Sequence, residues 1–231
     1  MSRLSKIKID FVSYFNKDYQ FAETYFVTNL SVKIMTQDSS IRKAINKLSL
    51  VKTMNKKKQA DIIMALIPTS NSSQAPLNIP EDANWTSIAA GAFQYFKDNN
   101  IVYIKHLRRD NEISLMIGDC QKNRILGFIR RGTRAKTCRR FILTMLLHFL
   151  RSKNLFALHA AYLTKEGINI LFPGNSGCGK TTIATNLLRF GFSCQADDIS
   201  FLSRSNSKVK VYPFPRRKLL ANHHVKRIKT H

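Results

Sequence analysis

Acidic residues are scarce in this chain. Its 231 residues hold 14 Asp and Glu against 38 Lys and Arg, a formal net charge of +24. Such an excess attracts phosphates, acidic peptides, nucleic acid or anionic lipid, and it carries no information about fold. Cysteine is sparse too. Cys120, Cys138, Cys178 and Cys194 show neither C-x-x-C pairing nor zinc-ligand spacing, which leaves reduced thiols and a cytoplasmic setting as the expectation. No long apolar run is present: "FILTMLLHFL" (141–150), between Arg140 and Arg151, is about half what a bilayer requires and suits a buried helix. The first twenty residues lack the apolar stretch of a secretion signal, so no transmembrane or signal segment is expected. No repeat of solenoid period is visible. With 44% apolar and 23% charged residues the chain reads as globular.

The basic excess is uneven. Ten Lys or Arg fall between Gln121 and Lys153 and nine between Ser203 and His231, with no acid in either stretch. A solvated basic surface and a surface for an anionic partner both fit this pattern.

Along the chain, Phe21 to Met35 reads as a strand region and Ser40 to Leu50 as a helix. "ADIIMALIP" reads as a strand ended by Pro68, and "TSNSSQAPLNIPEDAN" (69–84) as a loop. Four β-rich runs follow ("AFQYF", "IVYIKHL", "ISLMIGD", "ILGFIRR"), separated by turn residues in the manner of an antiparallel meander. From Thr133 to Asn154 the pattern is helical. "LFALHAAYLTKEGINILF" reads as two strands joined at "KEG", "KTTIATNLLRFG" as a helix stopped by Gly191, and "FSCQADDISFL" as one strand region. These readings predict an N-terminal α+β module over 1–130 and an α/β core over 131–231.

The chemistry concentrates in "GNSGCGKT" (174–181), which satisfies G-x-x-x-x-G-K-[ST] between a β-rich run and a helical pattern. Gly174, Gly177 and Gly179 let the backbone curl, so that the amides of Asn175, Ser176, Cys178 and their neighbours turn inward toward phosphate oxygens. The positive end of the following helix, through Thr182, adds to that attraction. Lys180 is placed to reach the β- and γ-phosphates of ATP, and the Thr181 hydroxyl to coordinate Mg²⁺. The acidic pair Asp197 and Asp198, after an apolar run, supplies one group to assist the metal and one to accept a proton. By itself His159 reads as a core histidine on the strand before the loop strand, and His148 as structural. Cys178 reads as a small tolerated residue whose modification would disturb nucleotide binding.

The segment "LHAAYLTKEGINILFPGNSGCGKTTIATNLLRFGFSCQADDISFL" resembles the catalytic core of HPr kinase/phosphorylase and, more closely, of the HPr-kinase-related serine kinases that accompany peptide natural-product gene clusters. His159 stands as far ahead of Gly174 as the family's histidine stands ahead of its first loop glycine, and Asp197–Asp198 match the family's Asp pair. The resemblance implies a core of the phosphoenolpyruvate carboxykinase type and transfer of a phosphoryl group from ATP to a serine hydroxyl. It implies Asp197 as the proton acceptor, Lys180 on the phosphates, Thr181 and Asp198 on Mg²⁺, and His159 beside the reacting groups. It also implies a peptide or small protein as substrate and assembly into a homo-oligomer, and the basic surface would then favour an acidic substrate. Thr182 stands where the bifunctional enzymes carry glutamate, which argues against phosphorylase activity. The Gly-rich signature of true HPr kinases does not follow Asp198, and the expectation is a C-terminally shortened relative. Neither Arg216 nor Arg217 is assigned the family's later catalytic arginine.

Two other readings stay open. One is an ATP-binding regulatory or scaffold protein without transfer activity. The other, not favoured, is a non-specific nucleic-acid binder, for which the charge speaks but no RNP pattern, zinc-finger spacing or helix-turn-helix signature does.

Overall fold

A computed structural model describes residues 11–48, 50–52, 59–70, 83–107, 113–205 and 208–214. Most of the expected loop at 69–84, and Arg216 and Arg217, lie outside these residues. The chain divides into two compact units between Phe149 and Leu150, apart from two short pieces, 27–29 and 49–51, that group with the second.

The first unit holds α1 (Phe11–Phe15), α2 (Ser39–Asn46), α3 (Ala135–Leu150) and the strands β1 (Phe21–Val27), β2 (Leu30–Thr36), β3 (Val51–Lys52), β4 (Ile62–Thr69), β5 (Thr86–Ile88), β6 (Phe93–Asp98), β7 (Ile101–Leu107), β8 (Ile113–Asp119) and β9 (Arg124–Arg130). They form one mixed sheet in the order β3-β1-β2-β4-β9-β8-β7-β6-β5. Strands β2–β4 and β4–β9 pair in parallel, β6 to β9 run as the expected antiparallel meander, and β5 adds a further antiparallel strand at its end. The expected strand region Phe21–Met35 comprises β1 and β2. Strand β4 continues past Pro68 to Thr69, because its pairing with β2 ends at Leu66 while β9 carries it on. Helix α2 starts where the Asp38 carboxylate accepts from the Ser40 and Ile41 amides at 2.8 and 2.9 Å.

The centre of the sheet is buried on both faces, which is why β8 and β9 read as continuous apolar runs rather than as alternation. One face gathers Phe11, Ala65, Tyr103, Leu115, Ile117, Leu126 and Phe128. The other packs on α3, whose buried Cys138, Phe141, Ile142, Met145, Leu146 and Phe149 recur at helical spacing. Gly118 permits this contact, since a Cβ there would lie 2.5 Å from Met145 Cε and 2.7 Å from Phe149 Cδ2. This packing corrects the expected boundary near residue 130. Helix α3 finishes the first unit instead of opening the second.

The second unit comprises β10 (Phe156–Leu158), β11 (Ala160–Lys165), β12 (Ile168–Pro173), α4 (Lys180–Arg189), β13 (Ser193–Ala196), β14 (Ser200–Ser205) and β15 (Lys208–Pro213). They make two antiparallel sheets, β10-β14-β15 and β12-β11-β13. Strands β11 and β12 are joined through Glu166 and Gly167, both at positive φ (48° and 83°), the geometry of a two-residue hairpin turn. Helix α4 packs Ala184 against Ala161 and Leu163, with Phe172, Leu187 and Phe192 around them. It ends as expected at Gly191 (φ 82°): the Phe192 amide donates to Leu187 O and the Gly191 amide to Leu188 O, closing the last turn.

Two expected strands are broken. "FALHAAYL" divides at His159, and "FSCQADDISFL" divides at 197–199. At each break the chain leaves one sheet of this unit for the other, which an unbroken strand could not do.

Candidate nucleotide site

The loop 174–179 links the end of β12 to the start of α4 in strand–loop–helix order. Gly177 and Gly179 take φ of +85° and +89°, a region that costs a residue with a Cβ about 1–2 kcal/mol. Gly174 is needed for a different reason, because a Cβ there would run into the Cys178 thiol as the loop folds over itself. Gly179 is also the N-cap of α4, and no side chain caps that end.

Lys180 opens the helix and is only 7% exposed. Its ammonium donates to Gly174 O and Asn175 O, each at 2.7 Å, and lies 3.9 Å from Cys178 Sγ. The cation thus closes the loop from within, on two backbone carbonyls that accept from it. Asn175, Ser176, Gly177, Cys178, Thr181 and Thr182 are exposed along the loop and the first helical turn. Thr185 Oγ1 donates to Thr181 O at 2.8 Å.

His159 is not a core residue. It occupies the break between β10 and β11 with its side chain 43% exposed. Its Nδ1 lies 2.7 Å from Asp198 O and 2.8 Å from Asp198 Oδ1. The backbone ties the same region together: the Ala160 amide donates to Asp198 O at 3.1 Å, and the Gly174 amide donates to His159 O at 3.2 Å. Through these bonds the first loop glycine, His159 and Asp198 form one connected set, although they lie on three separate segments.

The expected site residues therefore fall into two groups joined by backbone: the loop closed on Lys180, and the His159–Asp198 pair. Asp197 sits beside Cys194, whose thiol pKa is raised, first by burial and second by the Asp197 charge. Among the described residues no group of three or more His, Cys, Asp or Glu stands together as a metal-holding cluster. Sequence reasoning did not find the Ala160 amide, which donates to the same Asp198 carbonyl that His159 Nδ1 approaches. Backbone groups leave no residue-type signal to find.

No helix among the described residues is long and apolar enough to cross a membrane. His148 is packed on the Tyr95 ring at 4.7 Å, in keeping with a structural role. The chain matches no protein-family model, and no curated protein is significantly similar to it.

Proposed function

We propose that the second unit is a P-loop core of the HPr-kinase type, which binds MgATP and transfers its γ-phosphoryl group to a serine hydroxyl of an acidic peptide or small protein. The observation that carries this reading is the buried Lys180 ammonium held inside a glycine loop at an uncapped helix end, with His159 and Asp198 tied to the same loop by backbone. The residues present fit a polyphosphate on chemical grounds. The ammonium is held by two carbonyls and the Cys178 sulfur, with no carboxylate among its hydrogen-bond partners, and a helix N-terminus favours anions.

MgATP supplies the transferable group and the metal charge that offsets it. The chain supplies positioning. Lys180 exchanges its two carbonyl acceptors for β- and γ-phosphate oxygens, and the loop amides and the first turn of α4 bind the rest. The Thr181 hydroxyl would hold Mg²⁺ with Asp198 assisting; as the serine oxygen bonds to the γ-phosphorus and ADP leaves with the β–γ bridging oxygen, Asp197 accepts the serine proton. His159, through Nδ1–H, fixes the direction of the Asp198 carboxylate.

Calorimetric titration with MgATP at physiological salt, comparing the native chain with Lys180→Ala, tests the reading. Loss of a charge-assisted bond to phosphate weakens binding by roughly 10- to 100-fold. Affinity that survives the substitution means the nucleotide sits on the basic surface elsewhere, and the proposal fails. Saturable, Lys180-dependent binding without transfer to any serine peptide would instead favour the regulatory ATP-binding reading.

A further inference from the structure

Strand β15 is the outer strand of the β10-β14-β15 sheet among the described residues. Its inner neighbour β14 is sealed along the other side by β10 and, beyond it, by the Asn154 side chain, whose Nδ2 donates to Arg204 O at 2.7 Å. The β14–β15 register and the bond from the Phe214 amide to Ile199 O fix which peptide groups pair inward. On the alternation of an antiparallel ladder, residues 208, 210 and 212 face β14, while Val209 and Val211 aim N–H and C=O at the open edge. Pro213 ends the strand with no donor to offer, as suits an edge position.

This edge is cationic. Lys208 and Lys210 are exposed on one face, and Arg204 is exposed on neighbouring β14. None of these three cations takes part in the ion pairs seen at Glu23, Asp119 and Asp198. No acid occurs anywhere from Ser203 to His231. The edge also leads to the site: Pro213 pairs with Ser200, and Phe214 with Ile199, the residue after Asp198. At about 3.3 Å per residue, Lys210 lies ~10 Å and Lys208 ~17 Å along the strand from Pro213.

We infer that β15 is the docking edge for the phosphoacceptor, which adds to it as an extended acidic segment. Main-chain bonds to Val209 and Val211 give affinity, and carboxylates opposite Lys208 and Lys210 set the register. The segment carries two acidic residues two positions apart, no closer than three positions to the acceptor serine. The inference rests on the kinase reading for the serine but not for the binding itself.

Fluorescence anisotropy without nucleotide tests it. The probes are a labelled peptide of the pattern Ser-x-x-x-Glu-x-Glu, its reverse-sequence counterpart, and versions with Lys in place of Glu or with alternate amides N-methylated. Expected are binding of one or both acidic peptides, no binding of the lysine version, loss on N-methylation, and a roughly three- to tenfold weaker Kd for Lys208→Glu/Lys210→Glu. Failure of MgATP binding with peptide binding intact would sink the kinase reading and not this one. Peptide binding that ignores both the double substitution and N-methylation overturns the docking edge. So does a single-stranded oligonucleotide of equal charge that displaces the peptide and is weakened by the double substitution as much as the peptide is, because the edge would then be a phosphate binder.

Discussion

The contact between His159 and Asp198 fixes a proton, and that proton can be observed. Nδ1 of His159 faces the Asp198 carbonyl at 2.7 Å and a carboxylate oxygen at 2.8 Å. Both are acceptors, so Nδ1 must carry hydrogen, and Nε2 is then the lone-pair nitrogen whenever the ring is neutral. One N–H shared by two acceptors contributes no more than one charge-assisted bond, about 1.5–3 kcal/mol when fully buried. The side chains are 43% and 32% exposed, and screening brings this to about 0.5–1.5 kcal/mol. His159→Ala loses that amount in guanidinium denaturation, while the Ala160 amide still holds Asp198 O. His159→Asn places an amide donor near the Nδ1 position and loses less than half as much. Ring-nitrogen NMR of the native chain reads the tautomer directly. An Nε2–H neutral form, or equal losses in the two variants, refutes the assignment. In a phosphoryl-transfer assay the same pair separates roles: a positioning His159 leaves the Asn variant within a few-fold of native, whereas a proton-transferring Nε2 makes both variants equally slow.

Three further outcomes follow from the packing and the charges. Gly118→Ala overpacks β8 against Met145 and Phe149, both fully buried, and costs about 1–3 kcal/mol in denaturant unfolding; an unchanged midpoint would mean α3 does not rest on this strand as described. In thiol labelling, exposed Cys178 reacts first and is slowed by MgATP if the nucleotide covers the loop. Cys138, whose thiol burial and then the Asp38 charge push up to about 12, reacts only on unfolding, and early labelling there would contradict its burial. Burial raises the Glu23 carboxyl, but bonds from Tyr25, Lys52 and Arg42 outweigh it and bring it down to about 2 from 4.5. With the folded value below the unfolded one, its contribution is present above pH ~4.5 and lost as pH falls toward ~2, so Glu23→Gln flattens the acid limb of a stability–pH curve in that window.

Much of the second unit was legible because its signals are local. The glycine spacing, the helix after it and the stop at Gly191 depend on backbone conformations that few residue types allow, so residue type announces them. The meander was legible for the same reason, as turn residues separate its strands. The domain boundary was not. Helix α3 follows directly on the meander and precedes the loop region, and an apolar helix face looks the same whichever sheet it covers. What assigns α3 to the first unit is the absent side chain of Gly118, and a single glycine in a strand gives no hint of which helix fills its place.

The breaks at His159 and 197–199 were hidden for a deeper reason. Apolar residues continue on both sides of each break, since the segments before and after are buried in different sheets, and periodicity records burial without recording against what. Yet each break leaves backbone groups that no strand neighbour satisfies, and such groups must find partners. Here they satisfy one another: Ala160 donates to Asp198, Gly174 to His159, and Phe214 to Ile199. The points where the chain changes sheets are thereby drawn to the mouth of the glycine loop. At the His159 and Asp198 breaks the polar side chains are partly exposed and meet beside the first loop glycine. The spacing of His159, the loop and the Asp pair along the sequence is on this account a consequence of where the two sheets meet, and any chain with this strand order that placed a histidine and a carboxylate at its breaks would bring them to the same place. Moving the histidine one residue later, by exchanging His159 and Ala160, tests the point. Position 160 is fully buried within β11 and paired with Pro173, so the exchanged chain loses both the Asp198 contact and the strand's packing, and it should unfold more readily than His159→Ala alone. Equal stability of the two would show that the break lies elsewhere.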